Sequence, residues 1–258
     1  MRLIAALLLS LLPSLAFAAG GCLPIAGLEP RMVPVGFTLA SAPGEVLLHY
    51  IGHSSFLIRS PEGATAITDY TGRTVESAVP DIVSMNNAHA THFTDVPDPR
   101  IKHVLRGWDQ GEGPPRWDIT HQDMRVRNVP TNVRDYATGG TRRHGNSIFV
   151  FEAGDLCIAH LGHLHHVLTD LQTAEVGQID VLLVPIDGSV TLGHEAMVQV
   201  IEELRPRLII PMHYGSVEQF IQVLGRYPAT RSGSRSVVLS RKNLPKKTEI
   251  LVLQGDLF

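Results

Sequence analysis

At 258 residues, 44% hydrophobic and 18% charged, the chain is long enough to bury a sizeable core in one large domain. A net charge of −3 and the lack of any basic run that would track phosphates speak against nucleic-acid binding. The compositional anomaly is its 13 histidines, whose meaning depends on where they fall.

Residues 1–18 read as a signal peptide. Met1-Arg2 is a short basic start, residues 3–15 are apolar but too few to cross a bilayer with ease, and Ala16-Phe17-Ala18 has the small-x-small form of a signal-peptidase site. The mature chain is therefore expected to be exported, periplasmic or secreted, without a transmembrane segment. The alternatives are an uncleaved anchor, or a lipid on Cys22 after Ala19-Gly20-Gly21. In an oxidising compartment Cys22 and Cys157 could pair. The preferred reading is a free thiol, because Cys157 lies inside Leu156-Cys157-Ile158-Ala159 as a small apolar residue and nothing local brings Cys22 beside it. Neither cysteine has metal-ligand spacing.

A Pro- and Gly-bearing arm spans 19–44, and one ordered domain is expected over 45–258. Strands are predicted at 46–51 and 55–58 around Gly52-His53, with a hairpin at Pro61-Glu62-Gly63 leading into 65–69. Asp69, closing that run, reads equally as a turn former and as a carboxylate that orients a metal-bound histidine through its ring N–H. The apolar run 81–85 is a strand that delivers Asn87-Ala88-His89-Ala90-Thr91-His92 onto the loop at its end. Residues 101–105 form a short strand, and 107–116, between Trp108 and Trp117, a rim or lid loop. A half-buried strand at 125–129 leads to Pro130-Thr131-Asn132. Strands at 147–151 and 156–159 turn about Ala153-Gly154-Asp155. Helices at 168–176, 195–204 and 216–224 then alternate with strands at 179–185, 207–211, 237–239 and 250–253. Early strands followed by alternating helices and strands argue for two sheets covered by helices.

Histidines recur at strand ends: His89 and His92, then His160-Leu161-Gly162-His163-Leu164-His165-His166, Gly193-His194-Glu195 and Pro211-Met212-His213-Tyr214. A metal centre on a rigid β scaffold needs this, because side chains distant in sequence must converge within about 2 Å of one ion.

Gly52-His53-Ser54-Ser55-Phe56-Leu57-Ile58, Ile67-Thr68-Asp69, the central histidine stretch, Gly145-Asn146-Ser147-Ile148-Phe149-Val150, His160-Leu161-Gly162, residues 180–185 and Ile210-Pro211-Met212-His213-Tyr214 occur in that order. The succession resembles the metallo-β-lactamase-fold hydrolases, and among them the ascorbate-6-phosphate lactonase-like and related zinc-dependent hydrolases. The resemblance implies an α/β fold, a four-layer αββα sandwich, with a metal site along one edge at the strand ends. The family's central His-x-His-x-Asp-His stands here as Asn87-x-His89-x-Thr91-His92. Asn132 stands where a third-motif histidine is usual, and Gly162-His163 where a Gly-Asp gives a bridging carboxylate. His89, His92 and His213 match the pattern, and with His163 they are the implied metal ligands. Asn87, Thr91, Asn132 and His160 are altered-ligand or second-sphere positions, while His53, near the site mouth, and Asp69 are the candidate catalytic groups.

Losing both aspartates removes negative charge that would offset the repulsion of two dications about 3.5–4 Å apart. One ion is therefore expected, Zn²⁺ first, with Cu, Ni or Fe acceptable to the same nitrogens. Such an ion activates a water to attack an ester, lactone or phosphodiester of a small-molecule substrate. A non-catalytic descendant that binds a metal, ligand or partner without turnover is the other class that survives. There is neither a Gly-x-Ser-x-Gly elbow nor a phosphate-cradling Gly-rich loop.

Overall fold

The computed structural model describes Cys22 and residues 44–75, 78–213 and 215–255. The expected signal segment, nearly all of the 19–44 arm, and Tyr214 lie outside the described residues.

Only His53 and Ser54 separate β1 (Val46–Gly52) from β2 (Ser55–Arg59), so the two form a tight antiparallel hairpin. The turn at 61–63 then returns the chain as β3 (Thr65–Ile67), antiparallel to β2. β4 (Ile82–Met85) and β5 (His103–Arg106) add on in parallel. β6 (Asp118–His121), β7 (Met124–Arg134), β8 (Thr141–Ala153) and β9 (Leu156–His160) make an antiparallel meander in a second sheet. Next come α1 (Asp170–Val176), β10 (Val181–Pro185), α2 (His194–Leu204), β11 (Leu208–Met212) and α3 (Val217–Val223), with β9, β10 and β11 parallel. β12 (Ala229–Arg231) ends the second sheet, β13 (Ser236–Leu239) crosses to pair with β1, and β14 (Glu249–Val252) sits between β12 and β11.

Strand alternation decides what each face meets. Leu48, Tyr50, Phe56 and Ile58 of the first sheet pack onto Phe149, Phe151, Ile158, Leu183 and Ile210 of the second, forming the core between the sheets. Residues of opposite parity, such as Ile148, Val150, Leu182, Val184 and Ile209, face outward and are covered through Val176, Val200, Ile201 and Phe220 of the three helices. On the outer face of the first sheet, Leu57, Ile67, Val83 and Met85 lie under Tyr70, Phe93, Ile101 and Trp108, all from loops. The expected α/β sandwich is present, with the described helices layered on the larger sheet. Among the described residues no helix is long and apolar enough to cross a membrane.

The structure departs from the sequence reading in several places. β7 and β8 are far longer than the predicted strands, running through polar residues and a bulge between Thr131 and Val133. β6 and β12 lack apolar runs and have no sequence signal. The tryptophans of the loop expected as a rim or lid are anchored at its ends: the Trp117 indole N–H donates to the Arg106 carbonyl at 2.8 Å, and Trp108 meets Phe93 edge-on at 5.3 Å. Both rings contribute to cores, where their apolar area lowers the free energy.

The free-thiol reading is also corrected. Cys22 and Cys157 are disulfide-bonded, with Cα atoms 5.6 Å apart, and Cys22 is buried. The docking point is the buried Arg127 guanidinium, whose Nη2 donates to the carbonyls of Cys22 (3.0 Å) and Val176 (2.7 Å) and whose Nη1 donates to that of Glu175 (2.6 Å). One charged group thus satisfies the carbonyls at the end of α1 and holds the Cys22 carbonyl beside them.

Candidate metal centre

Three strand ends meet at one edge of the sandwich, and each carries a non-glycine residue in the left-handed region: His53 (φ 53°), Asp69 (φ 41°) and His213 (φ 73°). Each such conformation costs about 1–3 kcal/mol and persists only where its surroundings over-determine it. Here the His53 carbonyl accepts from the Tyr50 hydroxyl (3.0 Å) and the His213 N–H (2.7 Å), and the Asp69 carbonyl accepts from the Ser55 hydroxyl (2.7 Å). Gly162 (φ 59°) is required by close approach, since a Cβ there would meet Asn86 Nδ2 at 2.4 Å and Asn146 Oδ1 at 2.6 Å.

Asp69 is fully buried. Its Oδ1 accepts the Asn86 N–H at 2.9 Å, and its Oδ2 lies 2.6 Å from His92 Nδ1. A carboxylate accepts only, so His92 carries its proton on Nδ1 and presents a bare Nε2. A second pair repeats this arrangement: His213 Nδ1 lies 3.1 Å from Asp187 Oδ2, and Asp187 is held in turn by the N–H groups of Ser189 and Thr191 and by the Thr191 hydroxyl. The two bare nitrogens, His92 Nε2 and His213 Nε2, stand 3.3 Å apart.

Two imidazole lone pairs at that distance repel unless a proton or a cation lies between them. Burial, and then His213 and His89, hold the His92 imidazole well below its ordinary pKa and disfavour the proton. A cation fits, because a 3.3 Å separation subtends about 107° at a point ~2.05 Å from each nitrogen, close to the tetrahedral angle that Zn²⁺ adopts with His ligands.

Nitrogens of His53, His92 and His213 form one mutually close group, and those of His89, His92 and His163 another, each within 4.8 Å. The His53 ring centroid is 4.2 Å from that of His213 and 5.2 Å from that of His92. Burial foremost, and then neighbouring histidines, push His53 down to about 3 and His163 down to about 2, so both are neutral imidazoles at neutral pH. Burial pushes the Asp69 carboxyl up, against the opposing pull of His160 and the Asn86 N–H. Asp187 is also raised by burial, but hydrogen bonds from His213, Thr191 and Ser189 outweigh that and hold it below the usual carboxylate range.

The structure thus brings together all four histidines implied as ligands, but divides them between two groups and adds His53. Thr91 Oγ1 is 2.9 Å from His89 Nδ1 on the open side. Asn87 is buried, in a β-bridge with Asn146. Asn132 lies away from the centre: its N–H donates to His166 Nε2 (3.1 Å), and its Oδ1 accepts the His144 N–H (3.1 Å). His160 uses both ring nitrogens as a strut, donating from Nε2 to the Ser54 carbonyl (2.7 Å) and accepting the Gly162 N–H at Nδ1 (3.1 Å). Asp187 was not anticipated. Its one signal is its place in Pro185-Ile186-Asp187-Gly188, another polar residue just past a buried strand.

Residues 47–213 match the family model described as the beta-lactamase superfamily domain. A UPF0173 metal-dependent hydrolase of Pyrococcus furiosus is 26% identical over 193 residues, covering 66% of this chain and 85% of the relative. With a UPF0173 protein of Pyrococcus abyssi the likeness is local, 40% over 63 residues, spanning 24% of this chain and only 29% of that protein. A solved structure from Thermotoga maritima, assigned by its name to the zinc-dependent hydrolases of the metallo-β-lactamase superfamily, is 27% identical with a TM-score of 0.59, over 81% of this chain and all of that one. The chain belongs to the beta-lactamase superfamily, whose domain model spans most of its described residues.

Proposed function

We propose that the chain is an exported metal-dependent hydrolase that works with one zinc-like ion, held by His92 and His213 with His53 as the third nitrogen. The observation that carries this is the pair of carboxylate-backed Nε2 atoms 3.3 Å apart. The names of the relatives support hydrolysis, and that of the T. maritima structure supports zinc. A single ion is favoured because His92 Nδ1 is engaged by Asp69, leaving one nitrogen for which both histidine groups compete. Bound there, the ion supplies Lewis acidity and a water with a pKa near neutrality. Asp69 and Asp187 fix the ring tautomers and offset the charge of one dication. Of the four ligands implied by the sequence, His92 and His213 are retained in this proposal, while the exposed His89 and the buried His163 stand beside them.

The substrate is proposed to be a small-molecule ester, lactone or phosphodiester. Export is supported by Ala16-Phe17-Ala18 and by the disulfide, which belongs to oxidising compartments. The same bond occupies Cys22 Sγ, so the proposal carries no lipid there. The test is turnover by the zinc-loaded mature protein across p-nitrophenyl esters, lactones and bis-p-nitrophenyl phosphate, beside His213→Ala. Activity in one class that disappears in the variant is expected; no turnover in any class by zinc-loaded protein would favour the non-catalytic alternative.

A further inference from the structure

The wall of the centre formed by His163 obeys a different hydrogen-bond logic from that of His92 and His213. The Arg134 backbone N–H, at the end of β7, donates to His165 Nδ1 at 2.8 Å. A backbone amide has only a proton to offer, so His165 Nδ1 is bare; an imidazolium would set N–H against N–H. The neutral His165 ring therefore carries its proton on Nε2. That Nε2 lies 2.6 Å from His163 Nδ1, so His165 donates and His163 accepts. His163, neutral and accepting at Nδ1, keeps its one ring proton on Nε2.

A metal ligand needs a bare nitrogen. On His163 the Nδ1 lone pair is engaged by His165, and Nε2 is protonated. At His92 and His213 the partner of Nδ1 is a carboxylate, which only accepts, and the far nitrogen is left bare. The sign of the partner's hydrogen bond thus separates ligand from donor among chemically identical rings. The ring of His163 is buried, with its centroid 4.8 Å from that of His92 and 5.3 Å from that of His213. Among the described residues no acceptor engages its Nε2–H.

We propose that His163 is not a metal ligand but a neutral N–H donor to the substrate oxygen that becomes negative as water attacks, with His165 and the Arg134 amide fixing that tautomer. This rests on the hydrolase reading above. His163 is then a catalytic residue and His165 a positioning residue. No proton is transferred; the hydrogen bond strengthens as charge develops, and loss of one such donor typically lowers kcat by about 10²–10³-fold.

The experiment is ¹⁵N-histidine NMR of the mature protein during titration with Zn²⁺, on wild type, His163→Ala, His165→Gln and His165→Glu, with His213→Ala as reference. Glutamine can accept from the Arg134 N–H and donate to His163, so His165→Gln keeps the wild-type signature. Glutamate accepts at both ends, so His165→Glu moves the His163 proton to Nδ1, bares Nε2 and tightens zinc by about tenfold. Expected for wild type is a His163 Nε2–H that persists when zinc is bound, with the zinc affinity of His163→Ala within about threefold of wild type and kcat at least about 10²-fold lower. Loss of the Nε2 proton on zinc addition, or loosening of zinc in His163→Ala as large as in His213→Ala, overturns the proposal. If wild type binds no zinc, the metal-dependent reading fails by itself. The tautomer is then read in the metal-free protein, where Nδ1–H overturns this inference and Nε2–H upholds the tautomer lock.

Discussion

β4 has a histidine pair beyond each end, and the two pairs are nearly alike in distance. Past its C-terminal end His92 Nε2 and His213 Nε2 are 3.3 Å apart; near its start His103 Nε2 and His121 Nδ1 are 3.4 Å apart, with Asp81 Oδ1 3.4 Å from His121 Nε2. Their surroundings differ. Asp81 is also taken by Lys102 Nζ at 2.8 Å and by Thr65, and the same ammonium lies 3.4 Å from His121 Nε2. Asp69 and Asp187 are held instead by imidazole, hydroxyl and backbone N–H groups, in a pocket where Asp69 and His92 are 0% exposed. The spacing of two nitrogens does not make a metal centre; the sign and burial of the groups behind them decide whether a dication is attracted or repelled.

The largest effect that would break this comparison comes from Asp69→Asn or Asp187→Asn. An asparagine amide that donates to Nδ1 moves the ring proton to Nε2 and covers the ligating lone pair. Zinc affinity, measured by calorimetry, should fall about 10–100-fold in each variant. Unchanged affinity would mean that the carboxylates do not set the tautomer. A smaller effect sharpens the other side: Lys102→Gln removes the ammonium from the His103–His121 pair. A weak second zinc equivalent there should tighten about fivefold, roughly the 1 kcal/mol of one like charge at a partly exposed site.

Acid should reveal the same difference in the metal-free protein. His53, His163 and His165 have folded-state values of about 3, about 2 and about 4, against 6.5 when unfolded. Burial is the leading cause for each. Between those limits the unfolded chain takes up protons that the folded chain refuses. Stability is therefore highest above pH ~6.5 and declines as the pH falls towards the folded values. The urea midpoint should be lower at pH 5 than at pH 7.5, and His53→Gln should make that slope shallower. At the small end, His121→Ala, which truncates a half-buried ring, should lower stability by about 1 kcal/mol and leave metal content unchanged.

Much of the scaffold was legible because its strands bury apolar side chains on one or both faces, as in 46–51, 147–151 and 181–185. β6, β12 and the outer half of the β7–β8 hairpin were not, because main-chain pairing holds polar residues there without any local apolar signal. At the site, the strand-end positions of His89, His92 and His213 could be read locally. Asp69 was readable only as one of two possibilities, which its 2.6 Å contact with His92 resolves towards orienting a histidine. Asp187 acquires its meaning from His213 past another strand, and His163 from the Arg134 amide at the end of β7, acting through His165, so neither role exists in the sequence until the sheet is built. The disulfide joins residues 135 positions apart, a separation that no local pattern in the sequence bridges.

The central claim is one ion held by carboxylate-backed histidines, and elemental analysis of mature protein purified without chelator tests it most directly, with His213→Ala and His121→Ala alongside. The account predicts about one tightly held ion per chain in wild type and His121→Ala, and none in His213→Ala. An ion retained in His213→Ala, or none in folded wild type, would contradict it.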